Sequence, residues 1–349
     1  MALPTVCLIY TGGTIGMVET PDGLRPPDDP SDFLRMAPEL GKIAEVDFVP
    51  LLNKDSTNMH PQDWISISRA VYERRDKGYV GFVIAHGTDT MHFSSSAVAF
   101  TLGSNLNFPV VFTGAQTIPS IAHGDARVNL IRAVKATQTD LAEVVVSFGD
   151  FIFRGCRVQK KDERRFDAFE SPGYFPIGYI SEEIELHPTA KTRVDAVRKI
   201  DFRAEFASGI LQVALIPGLE PELIVPSIEA PTCHGVMLQS FGWGNVPDAP
   251  PFSFEEVIRH AVRDLSKPVI ITSQFPAHTT VGSAYEPGLR AVKEGAIPTG
   301  NMTNAAATAK FRWILAHVES DIGRGKLSST NRIQAVRDGM AFNYVGEMD

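Results

Sequence analysis

Four short segments of this chain hold side chains able to do chemistry. Thr11-Gly12-Gly13-Thr14-Ile15-Gly16 sets two hydroxyls around a pair of glycines. It is no Walker loop, because no Gly-Lys-Ser/Thr follows, and no dinucleotide fingerprint, because the glycines are misplaced. Two readings stand: a mobile loop presenting hydroxyls, or a tight turn whose threonines bond their own backbone. His86-Gly87-Thr88-Asp89-Thr90-Met91 precedes a helical pattern running to Leu102, so Thr88 and Asp89 fall at a helix N-terminus. N–H groups there can bind an anion or stabilise a developing oxyanion. The alternative is that Asp89 or Thr90 merely caps the helix. Asp55-Ser56 puts a carboxylate beside a hydroxyl after a run ending in Leu51-Leu52. That pair could hold an amino acid's charged backbone groups, or cap the next helix. Lys160 lies in the charge-rich stretch from Gly155 to Asp162. Composition does not choose it over Lys161, and a solvated surface is the plain alternative.

The elements that must position these residues follow from apolar runs. Thr5–Tyr10, Tyr79–Ala85, Pro109–Thr113, Val144–Phe148, Ile210–Ile216, Gly235–Ser240 and Pro268–Thr272 are apolar nearly throughout, and each ends in a turn before a helical pattern. Runs without alternation fit strands buried on both faces of a largely parallel sheet, where ligands bind at the carboxyl ends of the strands. Pro61 to Arg75 carries Trp64, Ile67 and Val71 at helical spacing. Ser253 and Glu256 form a capping-box pattern opening Phe254 to Leu265, Thr303 can cap Asn304 to Val318, and Gly339 follows the last helix candidate. The stretch from His187 to Ser208 is polar and breaks the rhythm. The expectation is two α/β domains: a larger N-terminal one with a mixed or parallel sheet over residues 1–190, a linker at 191–209, and a smaller parallel-sheet domain over 210–349.

Composition narrows the function. The 349 residues carry 33 Lys plus Arg against 41 Asp plus Glu, a formal charge of −8 that disfavours a nucleic-acid surface. Hydrophobic residues make up 44% and charged residues 21%, which excludes a disordered chain. Three cysteines are too few and scattered for a disulfide framework or a clustered zinc site, and the nine histidines show no HExxH-like spacing. The N-terminus lacks a signal-peptide pattern, and no apolar run approaches the ~20 residues of a membrane span. A cytoplasmic, two-domain protein without membrane or nucleic-acid partners is the expectation.

Taken together, the motifs resemble a known family. Thr11-Gly12-Gly13-Thr14-Ile15-Gly16-Met17 and His86-Gly87-Thr88-Asp89-Thr90-Met91 look like the two signature motifs of the bacterial-type L-asparaginase/glutaminase family. Asp55 to Met59, Phe112 to Gln116, Arg157 to Phe169, Ser240 to Asn245 and Met302-Thr303 extend the resemblance over nearly the whole chain, nearest the cytosolic type I branch. The resemblance implies hydrolysis of L-asparagine to L-aspartate and ammonia through a threonine acyl-enzyme, without metal or organic cofactor. It makes Thr11 the nucleophile on a flexible lid and Thr88, Lys160 and Asp89 a second triad. Ser56 and Asp89 would hold the substrate's charged groups, with Asp55, Thr57, Gly87 and Ala115 also contacting substrate. The chemistry is coherent, because a threonine hydroxyl needs a neighbouring base and a lysine held by a carboxylate can provide one.

The chain also departs from the pattern. Aligned without gaps, Leu24 stands where lid tyrosines occur, and Tyr285 fits a second-domain tyrosine of the cytosolic members with a one-residue insertion. An ordinary interface aromatic is the other reading of Tyr285. His86 reads as a strand-end spacer, Arg164 and Arg165 as surface or subunit-contact charges, and Asp125 and Asn129 as caps of the helix Val128–Thr137 before supports of the site. Competing functions are an amino-acid-binding or regulatory homologue, an amidase preferring glutamine or D-asparagine, and the amidase subunit of a tRNA-dependent amidotransferase. That subunit carries an extra N-terminal domain, whereas Thr11 lies near the start of this chain. A homodimer or homotetramer acting on a small amino-acid amide is expected.

Overall fold

Val6 to Tyr10 is fully buried at every position, as a strand covered on both faces must be. In the computed structural model, which describes residues 2–21, 23–196, 198–275 and 285–349, this strand lies inside an eight-stranded sheet. The order is Ile184–Leu186, Gly178–Ile180, Phe151–Arg154, Val144–Phe148, Val110–Thr113, Gly81–Ala85, Thr5–Gly12, Glu45–Lys54. The last five run parallel, while Phe151–Arg154 and its outer neighbours pair antiparallel, so the sheet is mixed. Val6, Leu8 and Tyr10 join Leu130 and Ala133 of the Ala126–Ala136 helix in one core. Alternation turns Cys7 and Ile9 to the opposite face.

The strand Glu45–Lys54 is not among the apolar runs. It alternates, contains Pro50, and is half exposed. It lies at the edge of the sheet, where a missing N–H is tolerated.

The chain divides into two units, Met1–Ala204 and Glu205–Asp349. The segment after Thr192 belongs to the first: the Arg193 guanidinium donates to the carbonyls of Val80, Asn107, Thr137 and Thr139. The second unit holds a four-stranded parallel sheet in the order Ile210–Ala214, Gly235–Ser240, Val269–Ser273, Ile297–Pro298. Two helix expectations need correction there. Gly339 does not follow the last helix but lies within it, in Arg332–Ala341. A Cβ there would come 2.8 Å from the Ile314 side chain, so glycine allows close packing on the Asn304–Gly323 helix. The capping box at Ser253 and Glu256 does not form, because the Glu256 carboxylate is turned to Arg259.

Candidate active site

Bare backbone lets the post-strand turns meet. Gly12 and Gly13 have φ of 105° and 88°, a region that favours glycine. A Cβ on Gly13 would lie 2.3 Å from the Cα of Gly87, and one on Gly87 would lie 2.6 Å from Ser56 Oγ. The turn after Thr11 therefore touches the turn before Thr88, with Ser56 packed behind Gly87. Thr11 itself is a strand residue rather than a loop residue: it is fully buried in Thr5–Gly12 and donates its hydroxyl to the Ala85 carbonyl at 2.9 Å. Ala115 is buried beside Gly114, whose Cβ would meet Thr88 Cγ2 at 3.3 Å.

Thr88 and Asp89 occupy the turn before the Met91–Leu102 helix. The Thr90 hydroxyl makes no cap there and donates instead to the Ser56 carbonyl at 2.8 Å. Asp89 receives Lys160 Nζ at 2.5 Å, and the same Nζ donates to Thr88 Oγ1 at 2.9 Å. The two lysines part at a strand end: Lys160, last residue of Gln159–Lys160, pairs across to Phe169, while Lys161, just beyond the strand, turns to Asp167 at 3.5 Å. Asp55 follows the blander of its two readings. Its Oδ1 accepts from the Thr57 N–H and hydroxyl, both at 2.8 Å, capping the Ser56–Asn58 turn. His86 is fully buried and its Nδ1–H donates to the Gly87 carbonyl at 2.7 Å, which fixes the tautomer because a carbonyl only accepts. Burial holds the His86 imidazole down to about 4. Burial, then the charge of Lys160, does the same to His92. Among the described residues, no group of three or more His, Cys, Asp or Glu side chains gathers to hold a metal.

The chain as a whole has counterparts among known proteins. The model of the family described as Asparaginase, N-terminal, matches residues 5–192, and that of the Glutaminase/Asparaginase C-terminal domain matches residues 210–323. The chain belongs to the asparaginase family. It is 33% identical over 344 residues to an L-asparaginase of Thermococcus kodakarensis, covering 98% of each chain. It is 30% identical to a subunit of the glutamyl-tRNA(Gln) amidotransferase of Methanothermobacter thermautotrophicus, covering 99% of this chain and 77% of that one. Two solved structures resemble the fold: the thermostable L-asparaginase of T. kodakarensis (TM-score 0.85, 30% identity, 99% of both chains) and L-asparaginase I of Vibrio cholerae (TM-score 0.83, 28% identity, 100% of both).

Within this asparaginase-family chain, Leu24 lies in a hairpin of Val18–Thr20 and Gly23–Arg25 and is half exposed. Tyr285, in the second unit, precedes the Glu286–Lys293 helix, is 53% exposed, and meets Trp243 edge-on at 5.9 Å. Its neighbours Ser283 and Ala284 lie outside the described residues. Asp125 is not the side-chain cap expected of it. Its carboxylate accepts from the backbone N–H of Gln116 and Thr117, from the Thr117 hydroxyl, and from Asn129 Nδ2. Gln116, which sequence reasoning gave no role, accepts the Thr88 hydroxyl at 3.1 Å. The available signal was its place directly after the strand end in Phe112–Gln116.

Proposed function

We propose that this chain is a cytoplasmic amidohydrolase converting L-asparagine to L-aspartate and ammonia, with L-glutamine turned over more slowly. The observation that carries the reading is Lys160 Nζ held between Thr88 Oγ1 and Asp89 Oδ1 at 2.9 and 2.5 Å. Thr11 attacks the side-chain amide carbon and a C–O bond forms. The C–N bond then breaks, and the hydroxyl proton passes to the departing nitrogen, which leaves as ammonia. Water hydrolyses the resulting ester, giving aspartate and restoring the threonine. Thr88, Lys160 and Asp89 move the proton, and amides at the start of the Met91–Leu102 helix face the developing oxyanion. Asp89 and Ser56 take the substrate's α-amino and α-carboxylate groups, with Asp55, Thr57, Gly87 and Ala115 shaping the same pocket. The reading requires no cofactor. The enzyme assembles as a homodimer or homotetramer, in which Tyr285 of a neighbouring protomer supplies the hydroxyl partner that Leu24 cannot.

A second reading, an amino-acid-binding homologue without turnover, is favoured by Leu24 alone. Ammonia release separates the two. Pure protein is assayed with L-asparagine, L-glutamine and D-asparagine across about pH 6–9, where catalytic bases commonly titrate. Release from L-asparagine at the highest rate is expected. Ligand binding without ammonia from any of the three would establish the second reading, and a higher rate with another amide would reassign the substrate.

A further inference from the structure

We infer that Gln116 is a positioning residue that sets the direction of the Thr88 hydrogen bonds, an inference that rests on the hydrolase reading of the same site. Donors and acceptors leave only one arrangement. Gln116 Nε2 donates to the Asp162 backbone carbonyl at 3.1 Å. A carbonyl can only accept, so the amide nitrogen must face Asp162 and the amide oxygen must face Thr88. The Thr88 hydroxyl therefore donates to Gln116 Oε1, at 3.1 Å. Lys160 Nζ supplies the complementary half, donating to Thr88 Oγ1 at 2.9 Å. A hydroxyl has one proton and two lone pairs. With the proton given to Gln116 and one lone pair facing Lys160, its rotation is fixed and a single lone pair is left over.

Gln116 is itself held. The Asp125 carboxylate accepts its backbone N–H at 2.9 and 3.1 Å. Asn129 ties that carboxylate to the Gly114 carbonyl, at 3.2 and 3.0 Å, and accepts the Gly149 N–H at 3.2 Å. Asp125 and Asn129 are 7% and 2% exposed, so the frame is shielded from competing water. Through Asp162, the same amide links the Thr88 turn to the segment carrying Lys160. One side chain thus sets both the rotation of Thr88 and its distance from Lys160. A group held this way changes the rate of the chemical step more than the binding of substrate, and misplacement by about 1 Å costs about 10²-fold.

The test has two arms. In the first, kinetics on L-asparagine compare wild type with Gln116→Met and Gln116→Glu. Gln116→Met, which keeps the length and removes both polar groups, should lower kcat by about 10²-fold with KM little changed. Gln116→Glu keeps the acceptor for Thr88 and should retain more kcat than Gln116→Met. Full kcat in Gln116→Met, a parallel rise in KM, or equal loss in both variants would overturn the assignment. The second arm needs no turnover: urea midpoints are measured for Gln116→Met, Thr88→Val and the double variant. If the bond is as described, the two single losses sum to more than the loss of the double. Strict additivity would overturn the inference. Coupled midpoints in a protein that releases no ammonia would sink the hydrolase reading while leaving the Gln116–Thr88 bond established.

Discussion

Two adjacent lysines make the sharpest contrast the site offers. Replacing Lys160 with Met removes the Nζ that lies 2.9 Å from Thr88 Oγ1 and 2.5 Å from Asp89 Oδ1. Its side chain is only 13% exposed, so an apolar methionine of similar length suits the same surroundings. A general base contributes about 10²–10⁴-fold, which at about 1.4 kcal/mol per decade is about 3–5 kcal/mol of barrier. The effect on folding is smaller, because Asp89 is 54% exposed and pairs with an exposed partner contribute about 0–1 kcal/mol. Lys161→Met removes a contact at 3.5 Å between side chains that are 35% and 41% exposed. It should leave kcat within about a factor of two, well inside the effect of an exposed pair. The assay is ammonia release at saturating L-asparagine, with thermal melts of both variants as the folding control. Equal loss in the two variants would refute the geometric argument and show that charge in the segment, not position, governs activity. Retained activity in a folded Lys160→Met enzyme would remove the lysine from the proton path.

Three further outcomes follow. Lys310 and Glu347 form a fully buried ion pair at 2.7 Å, and Glu347 also accepts the Tyr344 and Val345 N–H groups. Glu347→Leu should cost about 3–5 kcal/mol of urea stability. Lys310→Met/Glu347→Leu should regain only part of it, since the two amides still lack an acceptor; an undiminished single variant would contradict the burial. His86 and His92 have folded-state pKa values of about 4 against an ordinary 6.5. The unfolded chain therefore takes up more protons below 6.5, and stability is lost as pH falls from 6.5 toward 4, by about 3 kcal/mol per histidine at pH 4. A His92→Gln variant should show the shallower stability-versus-pH slope, and identical slopes would discount His92. Tyr285→Phe keeps the ring against Trp243 and should lower kcat without a matching loss of melting temperature; full activity would take Tyr285 out of the site.

The apolar strands were legible because burial on both faces leaves few polar positions, and Val144–Phe148 and Gly235–Ser240 form where the runs predict. The edge strand Glu45–Lys54 was not, because half exposure lets polar residues and Pro50 into it. The Thr88, Asp89 and Lys160 segments were visible as motifs, yet only the family resemblance chose Lys160 over Lys161; local spacing could not show that Lys160 reaches Thr88 and Asp89 while Lys161, beyond the strand Gln159–Lys160, turns to Asp167. Gln116 and Asp125 were missed or misread for a different reason. Their roles arise from a turn folded back on a helix start nine residues away, and nothing in local spacing distinguishes that from a cap.

Partitioning of L-asparagine turnover by hydroxylamine tests the central claim most directly. A threonine ester has an acyl group that hydroxylamine can capture in place of water. The account predicts ammonia together with β-aspartyl hydroxamate, hydroxamate rising at the expense of aspartate while ammonia release holds steady, and both products lost in Thr11→Val. Ammonia without any hydroxamate, or undiminished products from Thr11→Val, would contradict it.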